Sequence, residues 1–538
     1  MAKQILGHIF GNDLEEITFV CNSFDRNGQP IPVELGEILI IDDKYTQDRY
    51  LARITNVKYG QKPDWMKEMA RGENRMQNVN DLDDEHEDPK NAWRANRNDQ
   101  LYLTPTCELL GYINVAGKFL TPKKLPSYFS PIRKPDEKDF GFLEAYLGDI
   151  TFGKVRSGSN VIPIGAGLFG ELLPKHIGVF AQTGGGKSNT MQRLIGGVLE
   201  QEGKYGMLIF EPHGEYIESL KRHPYAKENL IAFLQDGREG RKLRVGYAEL
   251  SVNDLMNVRN QLHLSEPQER FMREAETKFG DDWFRLIVET PVNMDEAAML
   301  GIPVMTTLKE EFPNTFEDTI KVTKSKLQRI QKAAYLERDS TVSDMNEIMT
   351  LLDNGRVVLI DMSSLNGLEE ILLSTILASK VLNRRKRMYV NSREDFKHMP
   401  PVSIILEEAQ RVLGRDNNTE SNVFAQICNE GRKFLTGLIA ITQQPKLMDP
   451  VLISQFNTLI VLSISDEKDF DILSGISKKP LNKMRTEIRA LMPGEAVVTS
   501  PLSPFALPIK VDFYEDYLKT LKKPEKKGLK RSSFKGMV

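Results

Sequence analysis

Apolar residues change their period along this chain. Up to about residue 125 they come in short β-prone runs: Ile17-Thr18-Phe19-Val20, Glu37-Ile38-Leu39-Ile40-Ile41 and Tyr50-Leu51-Ala52-Arg53-Ile54. Turn residues such as Asn27-Gly28 separate them. This pattern predicts a small barrel over 1–125, interrupted by a polar insertion from 61 to 100. A Pro/Lys-rich stretch then reads as a linker over 126–150. From about 151, strands alternate with helices, which predicts a mostly parallel sheet. Candidate strands are 176–181, 206–210, 356–361, 402–407, 437–442 and 458–464. After the first of them, Met191, Leu194, Ile195, Val198 and Leu199 fall on one stripe of a helix. Between 250 and 345 the pattern is largely helical, and Ile320, Thr323, Leu327, Ile330 and Ala334 form a packing seam. The reading is α/β: a core over 151–249 and 346–510, a helical subdomain inserted at 250–345, and an N-terminal β-barrel. No internal repeat is evident.

Composition narrows the class without naming a function. At 538 residues the chain implies about three or four domains. With 40% hydrophobic and 27% charged residues and a net charge of −3, it is ordinary for a soluble globular protein. A domain that grips nucleic acid on its outer face is usually basic, so any DNA contact must be local, for instance inside a ring. No apolar stretch is long enough to span a bilayer, so no membrane association is expected. The opening Met-Ala-Lys-Gln-Ile-Leu-Gly-His-Ile-Phe lacks the apolar core and cleavage site of a secretory leader. Cys21, Cys107 and Cys428 lie far apart without metal-ligand spacing, which suits core thiols in a reducing cytoplasm. The acidic run Asp81 to Asp88 is a solvated loop or a docking site, and the basic tail 511–538 is a mobile segment or a DNA or subunit contact.

The chemistry gathers around Ala181-Gln182-Thr183-Gly184-Gly185-Gly186-Lys187-Ser188, between the first core strand and the striped helix. Strand, glycine loop, Lys-Ser and helix make a phosphate-binding P-loop. Its glycines let backbone N–H groups converge on phosphate oxygens, and the helix N-terminus adds partial positive charge. Lys187 reaches the outer phosphates of ATP and the Ser188 hydroxyl holds Mg²⁺. Ala181 stands where glycine is usual, so the loop must begin with ordinary dihedrals. A partner carboxylate is needed, and Val402 through Glu408 supplies a buried strand ending in two acids. Glu407 contacts the Mg²⁺ shell and Glu408 polarises the attacking water. Gln443, at the tip of the next strand, senses the γ-phosphate or orients that water. Glu211 and Glu215 end the second strand, where carboxyl ends face the ligand crevice. Spacing alone leaves Arg432 open between a surface salt bridge and a finger reaching into a neighbouring subunit.

Taken in order, these motifs resemble the HerA branch of the HerA/FtsK superfamily. The resemblance runs from Lys175-His176-Ile177 through Thr183–Asn189, Glu211-Pro212-His213-Gly214-Glu215-Tyr216 and Gly355–Ser363. It continues through Leu406-Glu407-Glu408-Ala409, Glu430-Gly431-Arg432-Lys433, Gln443 before Pro445, and Asn457-Thr458. Leu6-Gly7-His8-Ile9 looks like the start of the barrel that precedes the ATPase core in that family. The resemblance implies a RecA-like P-loop core, a homohexameric ring and ATP-driven movement of double-stranded DNA. It implies nucleotide binding by Thr183, Gly184, Gly185, Gly186, Lys187, Ser188 and Asn189, with Ser188 and Glu407 at the metal. Glu408, Gln443, Arg432 and Glu211 are the implied catalytic set, with Arg432 acting in trans. Three departures stand out: Ala181 for glycine, Glu211 and Glu407 for aspartate, and Leu459 and Ser463 in a strand where relatives often carry arginines. Relatives work with a separate effector, a NurA-like nuclease in end resection or a nuclease or sirtuin-like NAD-consuming enzyme in phage defence. The expected function is therefore an ATP-dependent DNA translocase. The alternative is an ATP-binding ring that chiefly assembles an effector, and a conjugation-type coupling ATPase is disfavoured without a membrane segment.

Overall fold

In the first strands every second residue is apolar, so one face of each strand must be buried. In the computed structural model, which describes residues 5–11, 13–22, 33–60, 102–234, 240–301, 306–415 and 421–521, these strands close into a barrel. Going round it, the strands are Ile17–Asn22, Ile5–Gly11, Pro131–Arg133, Ile38–Asp42, Arg49–Tyr59 and Tyr102–Ile113, which pairs back to Ile17–Asn22. Ile17, Phe19 and Cys21 face inward with Leu39, Ile41, Tyr50, Ala52, Cys107 and Ile132. The pairing of Tyr102–Ile113 with Ile17–Asn22 closes the ring of these six strands. All three cysteines are buried thiols, and burial pushes Cys21 up to about 11 and Cys428 up to about 12.

The stretch expected to be a linker over 126–150 is folded. Pro131 opens a barrel strand, a position where its missing N–H costs nothing, and Arg133 is buried against Asp42 and Asp139 at 2.6 and 2.7 Å. Asp136 and Asp139 then form a capping box that starts the helical segment Glu137–Tyr146. The Pro/Lys-rich composition hid a strand of only three residues. The barrel unit also takes in Gly153–Gly167 and Ser477–Lys510, so the core expected to run unbroken to 510 breaks off at Ile476 and resumes at Val511. Within that unit Arg156 pairs with Glu487 at 2.8 Å, and Arg53 donates to the Ala506 carbonyl at 3.0 Å. The expected insertion at 61–100 and most of the basic tail lie outside the described residues.

The second unit is built on a parallel sheet. Its described strands lie in the order Leu230–Phe233, Val357–Asp361, Gly206–Glu211, Val402–Leu406, Thr436–Thr442, Ile177–Phe180 and Thr458–Val461. Six of these match the expected strands within one to three residues at each end. The seventh, Leu230–Phe233, is a four-residue, largely half-buried edge strand that is not among the expected strands. The helix Lys187–Leu199 buries Met191, Leu194, Ile195, Val198 and Leu199, the expected stripe. Among the expected seam residues, Ile320, Thr323, Leu327 and Ile330 are buried on the helix Glu317–Ile330, while Ala334 falls beyond its end and is exposed. Val245–Gly246 pairs in parallel with Leu336–Glu337, bringing together the two ends of the helical insertion.

His176 sits just before the P-loop strand with φ +58 and is 3% exposed; its Nδ1 accepts from the Leu438 N–H at 3.0 Å. Burial lowers its pKa to about 4. The folded chain thus binds fewer protons at this site than the unfolded chain between pH 6.5 and 4, and stability falls as pH drops through that window. A His176→Asn variant should be less stable than wild type at pH 7.5. That gap should narrow by about 3 kcal/mol towards pH 4, read by urea unfolding across the range. A gap that stays constant with pH would contradict a neutral, buried imidazole.

Candidate nucleotide site

The strand Ile177–Phe180 runs straight into the glycine loop. Ala181 is buried and has an ordinary negative φ, as the missing glycine required. The left-handed turns fall instead on Gly184 (φ +77) and Gly186 (φ +91), where a side chain would be strained. Gly186 caps the helix Lys187–Leu199, whose first N–H groups have no partner within the helix and face the loop's concavity. Ser463 secures the loop's start: its carbonyl accepts from the Gln182 N–H and its hydroxyl from Gln182 Nε2, both at 3.0 Å. Leu459, in register with Gly178 and buried, packs in the sheet. Both departures from arginine therefore occupy interior, structural positions.

Parallel register brings the other groups to the same edge. Phe180 lies opposite Thr442, and Leu406 opposite Ala440, so the turns after these strands meet the P-loop. Lys187 Nζ stands 3.9 Å from Glu407 Oε2 and 3.8 Å from Glu408 Oε1, held between two carboxylates. The Glu407 side chain is nearly buried and accepts from the Tyr216 hydroxyl. Burial and the Glu407 charge hold the Tyr216 phenol well above its ordinary range, so it remains a donor. Glu408 is the more open acid, and its backbone adopts φ +47. Gln443 Oε1 accepts from Thr183 Oγ1 at 2.6 Å, and Ser188 Oγ donates to Glu215 Oε2 at 2.5 Å. Ser188, Glu215 and Glu407 offer oxygen donors only, the chemistry that suits Mg²⁺.

Three residues of the expected set lie away from the glycine loop of their own chain. Asn189 turns away: Nδ2 donates to the Asp512 carbonyl at 3.1 Å, and Oδ1 accepts from the Tyr514 N–H at 2.8 Å. One turn on, Arg193 is buried, stacks on Tyr517 at 3.4 Å and donates to the Thr151 carbonyl at 3.2 Å. The third position of the helix thus ties it to the chain after Val511, and its amide is committed there. Arg432 is exposed, makes no ion pair among the described residues, and precedes the strand Thr436–Thr442 that ends at Gln443. A strand of seven residues puts roughly 20 Å between Arg432 and its own site.

Glu211 is the third. At 1% exposure it cannot touch a bound ligand; it sits behind Glu407, and its Oε1 accepts from the Tyr216 N–H. Its Oε2 is buried without a hydrogen-bond partner, and Asp361 lies beside it in register on the neighbouring strand. The terminal position of a buried strand reads identically whether the side chain turns into the crevice or under it. The same ambiguity concealed Tyr216, which no charge pattern marks as the holder of Glu407.

Burial pushes the Glu211 carboxyl up to about 7, aided by the charges of Asp361, Glu407 and Glu215 and opposed by the Tyr216 N–H. The folded chain therefore holds an extra proton between pH 4.5 and 7, and stability falls as pH rises through that window. Glu211→Gln preserves the shape and the acceptor for Tyr216. Measured in EDTA, its stability relative to wild type should rise by on the order of 3 kcal/mol from pH 4.5 to 8. An unchanged difference would mean that Glu211 is ionised throughout.

Residues 150–384 match the family described as helicase HerA, central domain. The DNA double-strand break repair helicase HerA of Sulfolobus acidocaldarius is 26% identical over 419 residues, covering 75% of this chain and 77% of the relative. That of Saccharolobus solfataricus is 24% identical over 508 residues, covering 90% and 89%. Among solved structures, VirB4 of Thermoanaerobacter pseudethanolicus aligns with 14% identity and a TM-score of 0.45 over 68% of this chain and 96% of that one. The match begins at Ile150, upstream of the P-loop strand, and takes in Lys187, Glu211 and Glu215, while similarity to the HerA relatives extends over most of the chain. Residues 150–384 thus resemble the central domain of HerA helicases, and the HerA relatives align with this chain over most of its length.

Proposed function

We propose that this chain is the subunit of a homohexameric, ATP-driven motor that moves double-stranded DNA and works with a separately encoded effector, a nuclease or an NAD-consuming enzyme. The observation that carries the reading is Lys187 poised between Glu407 and Glu408 at the mouth of the glycine loop. An ammonium so placed can exchange its carboxylate contacts for phosphate oxygens when ATP enters. The loop glycines and helix N-terminus hold the phosphate chain. Ser188 and Glu407 would hold Mg²⁺, which when bound would neutralise phosphate charge. Glu408, freed of Lys187, orients and deprotonates water against the γ-phosphate, and Gln443 reports the γ-phosphate to the tip of its strand.

The exposure of Arg432 supports a role at a shared site. Set roughly 20 Å from the nucleotide of its own chain, it can serve the site of a neighbour in the ring. There it would add about 10³–10⁵ in rate, or ~4–7 kcal/mol of transition-state stabilisation. The HerA relatives' role in double-strand break repair supports DNA as the track.

Glu408→Gln should bind ATP yet hydrolyse it ~10²–10⁴-fold more slowly, and Lys187→Ala should lose turnover. Duplex DNA should raise the wild-type rate at low salt, where phosphate contacts are strongest. An ATPase indifferent to duplex DNA at low salt would favour the alternative, a ring that assembles an effector without pumping. Lys187→Ala and Arg432→Ala proteins, each inactive alone, should regain hydrolysis when mixed, because some interfaces then pair an intact loop with an intact arginine. Mixtures that stay inactive would remove Arg432 from the shared site.

A further inference from the structure

Two residues beyond Glu408, Gln410 makes two hydrogen bonds that join separate strands. Its Nε2 donates to Glu408 Oε2 at 2.5 Å, and its Oε1 accepts from Thr442 Oγ1 at 2.6 Å. The chemistry of its neighbours dictates the amide's orientation. A carboxylate can only accept, and the Thr442 hydroxyl already accepts from the Gln444 N–H at 3.0 Å, leaving its proton for Gln410. The turn beneath is equally constrained: the Ala409 N–H donates to the Ile441 carbonyl at 3.0 Å, and the Arg411 N–H to the Glu408 carbonyl at 2.9 Å. Glu408 is held within this turn at φ +47, a backbone state that a residue with a side chain keeps only when its surroundings impose it.

The two oxygens of Glu408 are thereby distinguished. Oε2 is pinned by Gln410, and Oε1 faces Lys187 at 3.8 Å, towards the phosphate cradle. The far end of the bridge lands on Thr442, whose next residue is Gln443, the acceptor for Thr183 of the loop. One strand tip therefore contacts the glycine loop through one residue and holds the acid through the other.

We infer that Gln410 is a positioning residue for ATP hydrolysis: it fixes Glu408 by one carboxylate oxygen, presents the other to the nucleotide, and couples that orientation to the strand tip bearing Gln443. The inference rests on Glu408 being the acid that orients water. An acid free to turn about its side-chain bonds spends less time aligned, and a misplacement of about 1 Å costs on the order of 10²-fold in rate. Nucleotide affinity, set by the loop and Lys187, should be untouched.

Steady-state ATPase rates, affinity for a fluorescent ATP analogue and thermal melting of the full-length chain test this. Gln410→Ala should lower kcat by ~10–100-fold with KM and nucleotide affinity unchanged. Gln410→Glu keeps the volume and the bond from Thr442 but replaces the donor to Glu408 by a second carboxylate, so at pH 8.5, where both acids are charged, it should be as slow as Gln410→Ala. In a Glu408→Gln background, Gln410→Ala should cost little more. Wild-type kcat in Gln410→Glu at pH 8.5 would overturn the inference, as would a Gln410→Ala penalty that is undiminished in the Glu408→Gln background. Full turnover by Glu408→Gln alone would instead overturn the assignment of Glu408, and with it the premise.

Discussion

Parallel strands release their chains at the same edge, and the hydrogen-bond register decides which side chains meet there. In this molecule the pairing of Ile177–Phe180 with Thr436–Thr442, and of the latter with Val402–Leu406, delivers the glycine loop, Gln443 and the two acids to one place. A shift of one residue along either ladder would displace these groups by about 3.3 Å and send alternate side chains to the wrong face. Lys187 makes the alignment visible. A cation within 4 Å of both Glu407 and Glu408 requires loop, helix and acid strand to be in register together.

Behind that edge lies a second layer of groups that never meet solvent. Tyr216 touches two acids, donating its amide to Glu211 and its hydroxyl to Glu407. Glu211 and Asp361 lie side by side at the ends of adjacent strands. Burial chiefly raises the pKa of Glu211, and the neighbouring charge of Asp361 adds to the rise. The site thus joins open acids that can work on a ligand to a closed acid that holds a proton.

Much of this was legible in residue order. The strand–glycine–Lys-Ser–helix signature and the paired acids depend on local spacing, which a single chain displays. The stripe at Met191, Leu194, Ile195, Val198 and Leu199 was likewise readable, since helical period is a local property. What escaped depends on contacts between residues far apart. Asn189 follows Ser188 directly, yet its amide serves Asp512 and Tyr514. Pro131–Arg133 is too short to announce itself as a strand and exists because two longer barrel strands flank it. Gln410 looks like any polar residue after an acidic turn until Thr442 is seen beside it.

The tie between Asn189 and the segment at 512–514 also bears on how the protein is made. Its two hydrogen bonds join positions separated by 323 and 325 residues. During synthesis the glycine loop and its helix leave the ribosome long before the segment that braces them. Until that segment is made, the helix face that will carry Arg193 against Tyr517 lacks this cover. A chain stopped short of Tyr514 would contain every residue of the phosphate cradle and lack the clasp that steadies its helix. The clasp on the helix can therefore close only once Tyr514 has been made, 325 residues after Asn189.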